Sequence, residues 1–483
     1  MTTLPSQNTS EMHPDQLLGA YQAFMGTYPE YDKTKTLDEL RAQEYSRLDK
    51  LEQVYLDYTG GGIYADSQLN ELMALLKQGN YGNPHSNNPA SRASTQMDEH
   101  ARNYVLEYFK ASPEEYVVIF TLNASGAIKL VGESYPFEHE SRYLLTFDNH
   151  NAVNGIREYA RAKGARITYV SITAPDLRID DVQLQNQLNK PNPKGSNLFI
   201  YPAQSNFSGV QHPLEWIEKA QSRGWDVLLD AAAFVPTNRL DLSLHHPEFV
   251  PISFYKMFGF PTGVGCLIAK KSVLHKLHRP WFSGGTIEIA SVQGDKYSFA
   301  EGARAFEDGT IDYLLLPAIE IGLKHLNAIG VQAVHTRVTI LTSWLLTNIL
   351  MLRHSNGSPV VEVYGPRNVE NRGGTIALNF HDPDGKTFNF HFIETTAGEF
   401  NISLRTGCFC NPGAGEIAFG LTKKDMTECF DHEERASFEQ CILNVKGKTA
   451  GAVRISLGLM TNFSDVYRFL QFVKTFIDMQ IVH

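Results

Sequence analysis

The stretch DVLLDAAAFVPTNRLDLSLHHPEFVPISFYKMFGFPTGVGCLIAKK, residues 226–271, contains the pattern that decides the fold. Its two short apolar runs, DVLL and VPISF, have the length and bounds of buried strands. Asp230 ends the first run, and Lys256 follows the second run 26 positions later. A carboxylate and an amine are therefore predicted to lie at the ends of two different strands.

Apolar runs of the same kind recur along the chain. They read VYLDY, YVVIFTLN, RYLLTF, ARITYVSI, NLFIYPA, DVLLDAA and VGCLIAK, and helical patterns such as HNAVNGIREYARAK separate several of them. This alternation predicts an α/β fold with a mainly parallel sheet that is covered by helices on both faces. Because ligands of such sheets bind beyond the carboxyl ends of the strands, we expect Asp230 and Lys256 to share one site.

The pattern changes after about residue 310, where long helical stretches such as TIDYLLLPAIEIGLKHLNAIG precede short alternating segments. We therefore divide the chain into three parts. Residues 1–54 form a helical segment that packs on the small domain, residues 55–318 form the large domain, and residues 319–483 form a smaller α+β domain. The absence of a Gly/Ser-rich linker predicts that the two domains pack tightly and form a cleft.

Composition limits the partners. The formal charge of -10 gives no basic surface for a nucleic acid, and no window of ~18 apolar residues predicts a membrane span. The N-terminus lacks the basic and apolar regions of a secretory signal. Five cysteines in 483 residues argue against a disulfide framework and for a reducing compartment, so we expect a cytoplasmic protein.

The Asp230/Lys256 pair fits a pyridoxal-phosphate (PLP) site. A lysine can form the Schiff base with the PLP aldehyde, and an aspartate can keep the ring nitrogen protonated so that the ring acts as an electron sink. Apolar surroundings disfavour the ammonium form of Lys256 and favour its use as nucleophile and base. The alternative is a plain loop lysine after a strand, which is the commoner fate of a single lysine.

The stretch SFYKMFGFPTGVG, with YPAQSNFSGV and LLDAAAF upstream, resembles class V PLP enzymes of fold type I, the aspartate-aminotransferase-like fold. The closest resemblance is to the NifS-like N-terminal domain of molybdenum-cofactor sulfurases. It continues in unbroken order through YLDYTGGG, YGNPHS, FTLNASGAIKLV, DNHNAV, FEDGT, LRTGCFCNPGAG and VRISLG. The resemblance implies a seven-stranded, mainly parallel sheet in the large domain and a homodimer with shared sites.

The resemblance also implies roles for individual residues. Lys256 matches the Schiff-base lysine, Asp230 matches the partner of the ring nitrogen, and His150 matches the histidine that stacks on the ring. Asn206 matches a polar contact near the cofactor or substrate. Ser253 and Tyr255 match phosphate-binding positions, and Thr286 matches a residue that is donated to the phosphate across a dimer interface. For His150 the alternative is a hydrogen-bonded histidine at a strand end.

A phosphate site can also be predicted from the residues themselves. NASG, residues 123–126, opens a helical pattern directly after the VVIF strand. A helix N-terminus offers free N–H groups at its positive end, so Ala124 and Ser125 are candidate phosphate ligands. The alternative is an ordinary helix cap, for which Asn and Ser are common.

The segment LRTGCFCNPGAG, residues 404–415, is the second candidate for chemistry. In cysteine desulfurases the nucleophilic cysteine follows Arg-x-Gly by three positions, which corresponds to Cys410 rather than Cys408. Gly, Asn and Pro predict a loop, and we expect that loop to be mobile. The alternatives are a C-x-C metal ligand pair, for which no second pair is present, or two inert thiols.

Two arginines match those that bind an amino-acid α-carboxylate in this superfamily. They are Arg405 in the cysteine loop and Arg454 in VRISLG. A guanidinium binds a carboxylate through two hydrogen bonds, which suits an amino-acid substrate. The alternative for each is a surface ion pair.

Three positions depart from the family pattern. Ala233 stands where many relatives have a glutamine that contacts the cofactor, Tyr58 stands where relatives often have His or Asn, and Gly415 stands where the sulfurases commonly have a further cysteine. We expect substrate contacts at Tyr58 to differ. No segment resembles the C-terminal domain of the sulfurases, so we do not expect a self-contained cofactor sulfurase.

The predicted function is a PLP-dependent cysteine desulfurase. It removes sulfur from L-cysteine, or a related thio-amino acid, as a Cys410 persulfide, gives alanine, and passes the sulfur to an acceptor protein or small molecule. One alternative is a PLP-dependent C–S lyase or transaminase-like enzyme that needs Lys256 but not Cys410. Another is a non-catalytic sulfur-relay scaffold, against which the Lys256/Asp230 pair argues.

Overall fold

The structure is a computed structural model that describes residues 14–430, 439–443, 447 and 449–481. Numbered in chain order, the strands in this part are β1 (Val54–Tyr55), β2 (Tyr116–Thr121), β3 (Arg142–Thr146), β4 (Arg166–Val170), β5 (Ile172–Thr173), β6 (Arg178–Ile179), β7 (Asn197–Pro202), β8 (Asp226–Asp230), β9 (Phe249–Ser253), β10 (Gly265–Lys270), β11 (Ile287–Ser291), β12 (Lys296–Phe299), β13 (Val361–Tyr364), β14 (Thr375–Phe380), β15 (Ile402–Ser403), β16 (Arg405–Gly407) and β17 (Ala452–Ser456).

The helices are α1 (Pro14–Thr27), α2 (Thr36–Glu44), α3 (Arg47–Lys50), α4 (Asp66–Leu76), α5 (Pro89–Tyr108), α6 (Ala124–Ser134), α7 (Asn151–Ala162), α8 (Asp181–Leu188), α9 (Trp216–Gln221), α10 (Phe254–Phe258), α11 (Lys271–Leu274), α12 (Leu316–Ile329), α13 (Val331–Met351), α14 (Phe390–Glu399), α15 (Pro412–Ala418), α16 (Lys423–Phe430) and α17 (Phe463–Lys474). None of the helices in the described ranges is both long and apolar enough to cross a bilayer.

The large domain is built on a seven-stranded sheet with the order β2-β10-β9-β8-β7-β3-β4. The strands from β9 to β4 run parallel to one another, and β10 runs antiparallel to both of its neighbours. The central strands β7 and β8 are buried along most of their length, which explains their unbroken apolar runs. The prediction of a mainly parallel seven-stranded sheet in an α/β fold is confirmed.

This topology places the carboxyl ends of β8 and β9 side by side. These strands are neighbours, β8 ends at Asp230, and β9 ends at Ser253 just before Lys256. The sequence therefore predicted the correct edge of the sheet for the site.

The small domain contains a four-stranded antiparallel sheet with the order β13-β14-β17-β16. The first strand, β1, pairs in parallel with β15, so the chain is joined to the small domain before it enters the large one.

The N-terminal helices pack on the small domain. The ring of Phe24 in α1 lies 4.6 Å from that of Phe463 and 6.1 Å from that of Trp344 in α13. Residues 1–13 of the N-terminal segment lie outside the described residues, and the three domain boundaries stay a prediction.

Candidate active site

Lys256 lies in α10, the short helix that follows β9 directly. Gly259 ends this helix with a φ of 82°, and a Cβ at Gly259 would overlap the backbone of Ile63 and Tyr64. Gly62 approaches from the same side and donates its N–H to the Tyr255 carbonyl at 2.9 Å. The glycines of YLDYTGGG and SFYKMFG therefore allow two backbone segments to pack closely around the lysine.

The pKa of the Lys256 amine is lowered. Burial has the largest effect, and the charges of Arg454 and Arg405 lower the pKa further, whereas Asp230 and Cys410 raise it. A lowered pKa increases the fraction of neutral amine, which is the form that attacks an aldehyde and accepts a proton.

A cavity of about 280 Å³ opens beside Lys256. Its lining consists of Asn123, Ala124, Ser125, Ile128, His150, Pro202, Gln204, Asn206, Asp230, Ala232, Ala233, Ser253, Tyr255, Lys256, Thr262 and Gly263. Eight of the predicted site residues belong to this lining: Ala124, Ser125, His150, Asn206, Asp230, Ser253, Tyr255 and Lys256. The topology thus brings together residues that are up to 132 positions apart in the sequence.

Two of the lining side chains suit the ring of PLP. Asp230 is only 8% exposed; its Oδ1 accepts the Ala232 N–H at 3.1 Å, and within the described ranges no hydrogen bond reaches its Oδ2. A buried carboxylate with an open acceptor facing a cavity fits a protonated ring nitrogen.

His150 caps the N-terminus of α7, where its Nδ1 accepts the Ala152 N–H at 3.1 Å. Burial lowers its pKa, the carboxylate of Asp230 acts in the opposite direction, and the charges of Lys256 and Arg454 lower it further. The imidazole is therefore favoured in its neutral form, with the proton on Nε2. Its stacking on the ring stays a prediction.

The other end of the cavity fits a phosphate. α6 begins at Ala124 after the cap Asn123, whose side chain accepts the Gly126 N–H at 2.9 Å. The Ala124 N–H donates to Ser253 Oγ at 3.0 Å, so the predicted helix terminus and the serine before the lysine form one polar cluster. Such a terminus supplies N–H groups and positive potential to an anion.

Thr262 and Gly263 also line the cavity, and our sequence analysis did not assign them a role. They lie in FPTGVG, directly after the lysine helix. Gln204 was missed as well, although it stands two positions before the predicted Asn206. The signal in each case was a polar or glycine residue inside a motif that carries the family resemblance.

Thr286 lies elsewhere in the chain. Its side chain is fully buried, and its hydroxyl accepts the Ser283 N–H at 2.9 Å and donates to the Ser283 carbonyl at 2.8 Å. It is not part of the cavity lining of its own chain. Its contact with a phosphate across a dimer interface stays a prediction.

Arg405 and Arg454 lie directly opposite each other on the antiparallel strands β16 and β17. Both guanidinium groups bind Asp57, which follows β1. Arg405 Nη2 lies 2.8 Å from Asp57 Oδ2, and Arg454 Nη2 lies 2.9 Å from Asp57 Oδ1. The structure thus brings the two predicted arginines together, and it adds Asp57, which sequence reasoning missed because nothing local indicates this register.

Tyr58 does not lie in the site. Its side chain is buried and packs edge-on against Tyr55 at 5.0 Å between ring centroids, and a Cβ at Gly458 would overlap its ring. Tyr58 therefore lies in the core and is not part of the cavity lining, and a difference in substrate contacts at this position stays a prediction. Ala233, by contrast, does line the cavity.

The cysteine loop joins the two domains. The Cys410 carbonyl accepts the Asn151 N–H at 2.7 Å, and the Phe409 carbonyl accepts Asn206 Nδ2 at 2.7 Å. Asn411 caps α15 and donates its Nδ2 to the Asp148 carbonyl at 2.6 Å. In this conformation the loop backbone is hydrogen-bonded on both sides of the cysteine, and its mobility stays a prediction.

The two cysteines of this loop have different surroundings. Cys410 is exposed, and its charge interacts with both Lys256 and Arg454. Cys408 is partly buried and donates its thiol to the Ala450 carbonyl at 2.9 Å between Sγ and oxygen. Within the described ranges no group of three His, Cys, Asp or Glu side chains could hold a metal ion. The exposure of Cys410 fits its prediction as the nucleophile, which stays a prediction.

Two of the remaining cysteines are paired. Cys429 and Cys441 form a disulfide. The prediction from the sequence was directed against a disulfide framework, and this one pair does not make such a framework. A cytoplasmic location stays a prediction.

Comparison with known proteins identifies the family. A family model described as aminotransferase class-V matches residues 54–469, which include every predicted site residue. This chain belongs to the class-V aminotransferase family. Membership confirms the expected PLP enzyme with a fold type I architecture, and the Asp230 acceptor and the Ala124–Ser253 cluster show that this chain's residues fit that cofactor.

Curated relatives in this family include molybdenum cofactor sulfurases. The sulfurase of Solanum lycopersicum is 37% identical over 497 residues, covering 96% of this chain and 60% of that protein. The human sulfurase is 35% identical over 463 residues, covering 91% of this chain and 51% of that protein. The chain thus spans about half to three fifths of the length of these relatives.

Solved structures with the same fold include cysteine desulfurases. The apo cysteine desulfurase of Thermococcus onnurineus superposes with a TM-score of 0.73 at 21% identity, covering 90% of this chain and 96% of that one. The Escherichia coli cysteine desulfurase CsdA, in its S-sulfonic acid form, gives a TM-score of 0.67 at 18% identity, covering 91% and 97%. At these identities the likeness concerns the fold.

Proposed function

We propose that this class-V aminotransferase family member is a cysteine desulfurase that takes sulfur from L-cysteine, or a related thio-amino acid, as a Cys410 persulfide. The observation that carries the proposal is the position of Cys410. Its loop is bonded to Asn206 and to Asn151, the neighbour of His150, and its charge interacts with Lys256. The loop that carries this exposed thiol is thus bonded to Asn206, which lines the cavity whose residues fit PLP.

The predicted site residues have separate roles in this reaction. PLP, when bound, supplies an electron sink for the bonds of the substrate α-carbon. Asp230 keeps a proton on the ring nitrogen through its open Oδ2. Lys256, with its lowered pKa, accepts the Cα proton of the substrate. Arg405 and Arg454 orient the substrate by its α-carboxylate.

Cys410 performs the sulfur transfer. Its thiolate attacks the sulfur of the substrate, so an S–S bond forms while the C–S bond breaks, and the electron pair of the C–S bond stays with the substrate carbon. Reprotonation of that carbon skeleton gives alanine. The persulfide sulfur then passes to a thiol acceptor, a second protein or a small molecule, and Cys410 is restored.

We also propose that two copies of the chain associate. The segment around the hairpin β11–β12 exposes several large apolar side chains: Trp281 at 51%, Phe282 at 40%, Ile289 at 67%, Val292 at 99% and Tyr297 at 47%. Several large apolar side chains exposed on one segment are typical of a protein–protein contact. Thr286 lies at the start of the same segment, which supports its assignment to a shared interface.

A pair of matched variants tests the sulfur transfer. The enzyme is incubated with L-cysteine and dithiothreitol, and alanine and sulfide are measured together. Cys410→Ala is expected to lose at least ~99% of both products while it keeps the visible absorbance of bound PLP. The control Cys408→Ala, in the same loop, is expected to keep most of the activity. Full activity of Cys410→Ala would overturn the proposal in favour of a lyase that uses Lys256 alone.

A further inference from the structure

Asp57 occupies a position that the proposed mechanism does not explain. Its backbone bridges Ser456 of β17, the strand that carries Arg454, and its carbonyl accepts the N–H groups of Gly60 and Gly61 at 2.9 and 3.1 Å. Its side chain is 13% exposed. The carboxylate is therefore fixed relative to the arginine strand by backbone bonds and does not depend on a flexible surface loop.

The register of β16 and β17 creates an electrostatic problem that Asp57 relieves. Arg405 and Arg454 are cross-strand partners, and like charges directly opposite on a sheet repel each other. Arg454 is only 3% exposed, so its charge needs a nearby counter-charge. In the described part of the chain, Asp57 is the carboxylate that hydrogen-bonds both guanidinium groups.

Part of the hydrogen-bonding capacity of the Arg405/Arg454 pair is left for a ligand. Arg405 uses Nε and Nη2 toward Asp57, at 3.0 and 2.8 Å, and within the described ranges no hydrogen bond involves its Nη1. Its side chain is half exposed. A Cβ at Gly60 would overlap the Asp57 carboxylate and the Arg405 guanidinium, so this glycine makes room for the pair. Two positive charges and one negative charge leave a net charge of about +1 for an incoming ligand.

We propose that Asp57 is a positioning residue that holds Arg405 and Arg454 for the substrate's α-carboxylate and restricts the site to substrates with a single carboxylate there. The proposal rests on the proposed function, since it takes the two arginines as the α-carboxylate site. Asp57 neutralises one of their two charges and repels a second carboxylate. The chemical class it selects is the amino acid with one carboxylate on the α-carbon.

Two amino acids that differ only in that carboxylate provide the test. PLP-loaded enzyme is titrated with glycine and with aminomalonate, which is glycine with a second carboxylate on Cα, and binding is followed by the change in visible absorbance. In the wild type we expect aminomalonate to bind at least about tenfold more weakly than glycine, because like charges brought together cost binding energy. In Asp57→Asn this ratio is expected to fall close to one, and in Asp57→Glu it is expected to persist.

A double-mutant cycle that changes the net charge of the Asp57/Arg405/Arg454 group gives a second, independent readout. Arg405→Gln leaves a net charge near zero and is expected to weaken glycine binding by about tenfold or more. The double variant Asp57→Asn/Arg405→Gln restores a net charge near +1 and is expected to recover part of that affinity. Asp57→Asn alone leaves the two arginines without their counter-charge, whereas the double variant also removes the Arg405 charge. Glycine binding by the double variant can therefore be measured even where Asp57→Asn alone does not fold.

Two results would overturn the proposal. The first is that Asp57→Asn weakens glycine and aminomalonate by the same factor, as loss of a purely structural ion pair would. The second is that the double variant binds glycine no better than Arg405→Gln. These titrations require no sulfur release, so an enzyme that binds glycine but releases no sulfide would refute the proposed desulfuration and leave this test intact.

Discussion

Asn206 donates its Nδ2 to the carbonyl of Phe409 at 2.7 Å, which connects the loop after β7 with the residue before Cys410. The same Asn206 accepts Asn411 Nδ2 on its Oδ1 at 2.9 Å, and its carbonyl accepts Arg454 Nη1 at 3.1 Å. One residue of the large domain thus contacts the cysteine loop on both sides of Cys410 and also contacts Arg454.

This contact predicts that Asn206→Ala slows sulfur transfer while PLP stays bound. Without the amide, the Phe409 carbonyl loses its partner and the cysteine is positioned less well, and misplacement of a reacting group by about 1 Å can cost ~100-fold in rate. Alanine formation from L-cysteine is measured beside the visible absorbance. Asn189→Ala serves as the control, because it removes the amide of an exposed asparagine outside the site. A wild-type rate in Asn206→Ala would show that the loop needs no such anchor.

The lowered pKa of Lys256 predicts how cofactor uptake depends on pH. PLP reacts with the neutral amine, so the rate of uptake by the apoenzyme is expected to rise with pH and to level off below the ordinary lysine pKa of about 10.4. Asp230 raises the pKa of Lys256 and Arg405 lowers it. The midpoint is therefore expected to move down in Asp230→Asn and up in Arg405→Gln.

Stopped-flow absorbance over a pH series measures these midpoints, and Lys163→Ala, an exposed lysine after α7, controls for changes in net charge. The account is wrong on this point if the midpoint in Asp230→Asn moves upward, since that would mean that the carboxylate does not stabilise the ammonium form.

The exposed hairpin predicts the state of association. Val292 and Ile289 are 99% and 67% exposed, and a charge at either position would have to be buried in a dimer contact at a cost of several kcal/mol. Ile289→Asp/Val292→Asp is expected to sediment as a monomer where the wild type sediments as a dimer. The matched control is Val182→Asp in α8, where the valine is 73% exposed. A wild-type protein that is monomeric at high concentration would remove the proposed interface.

The disulfide predicts a stability difference between the oxidised and the reduced protein. Cys429 and Cys441 are 12 positions apart, and closing a loop of this size restricts the unfolded chain by about 3 kcal/mol. The denatured, unreduced protein is expected to show three reactive thiols, Cys266, Cys408 and Cys410. Reduction is expected to lower Tm. Five reactive thiols before reduction would contradict the pairing.

The sequence was most informative for site residues that are marked by the residues next to them. Asp230 ends an apolar run and Lys256 follows one. Because neighbouring parallel strands end at the same edge of the sheet, the pair could be located from the sequence. Ala124 and Ser125 were predicted because a helix N-terminus follows a strand, and that terminus lines the cavity. Each of these predictions uses a rule that links a few adjacent residues to a position in the fold.

The relationships that were missed depend on long-range register. Nothing near Arg405 indicates that Arg454 lies opposite it, or that Asp57, almost 350 positions earlier in the chain, binds both. The anchored backbone of the cysteine loop was missed for the same reason, since its partners Asn206 and Asn151 belong to another domain.

The central claim is that Cys410 accepts sulfur from the substrate in a site built around Lys256. The most direct test is mass spectrometry of the peptide containing Cys410 after a single exposure of the PLP-loaded enzyme to L-cysteine without reductant. We predict that this peptide gains the mass of one sulfur atom, that the gain is absent in Lys256→Ala, and that one alanine forms for each modified cysteine. Alanine formation with an unmodified Cys410 peptide, or the added sulfur on Cys408 instead, would contradict the account.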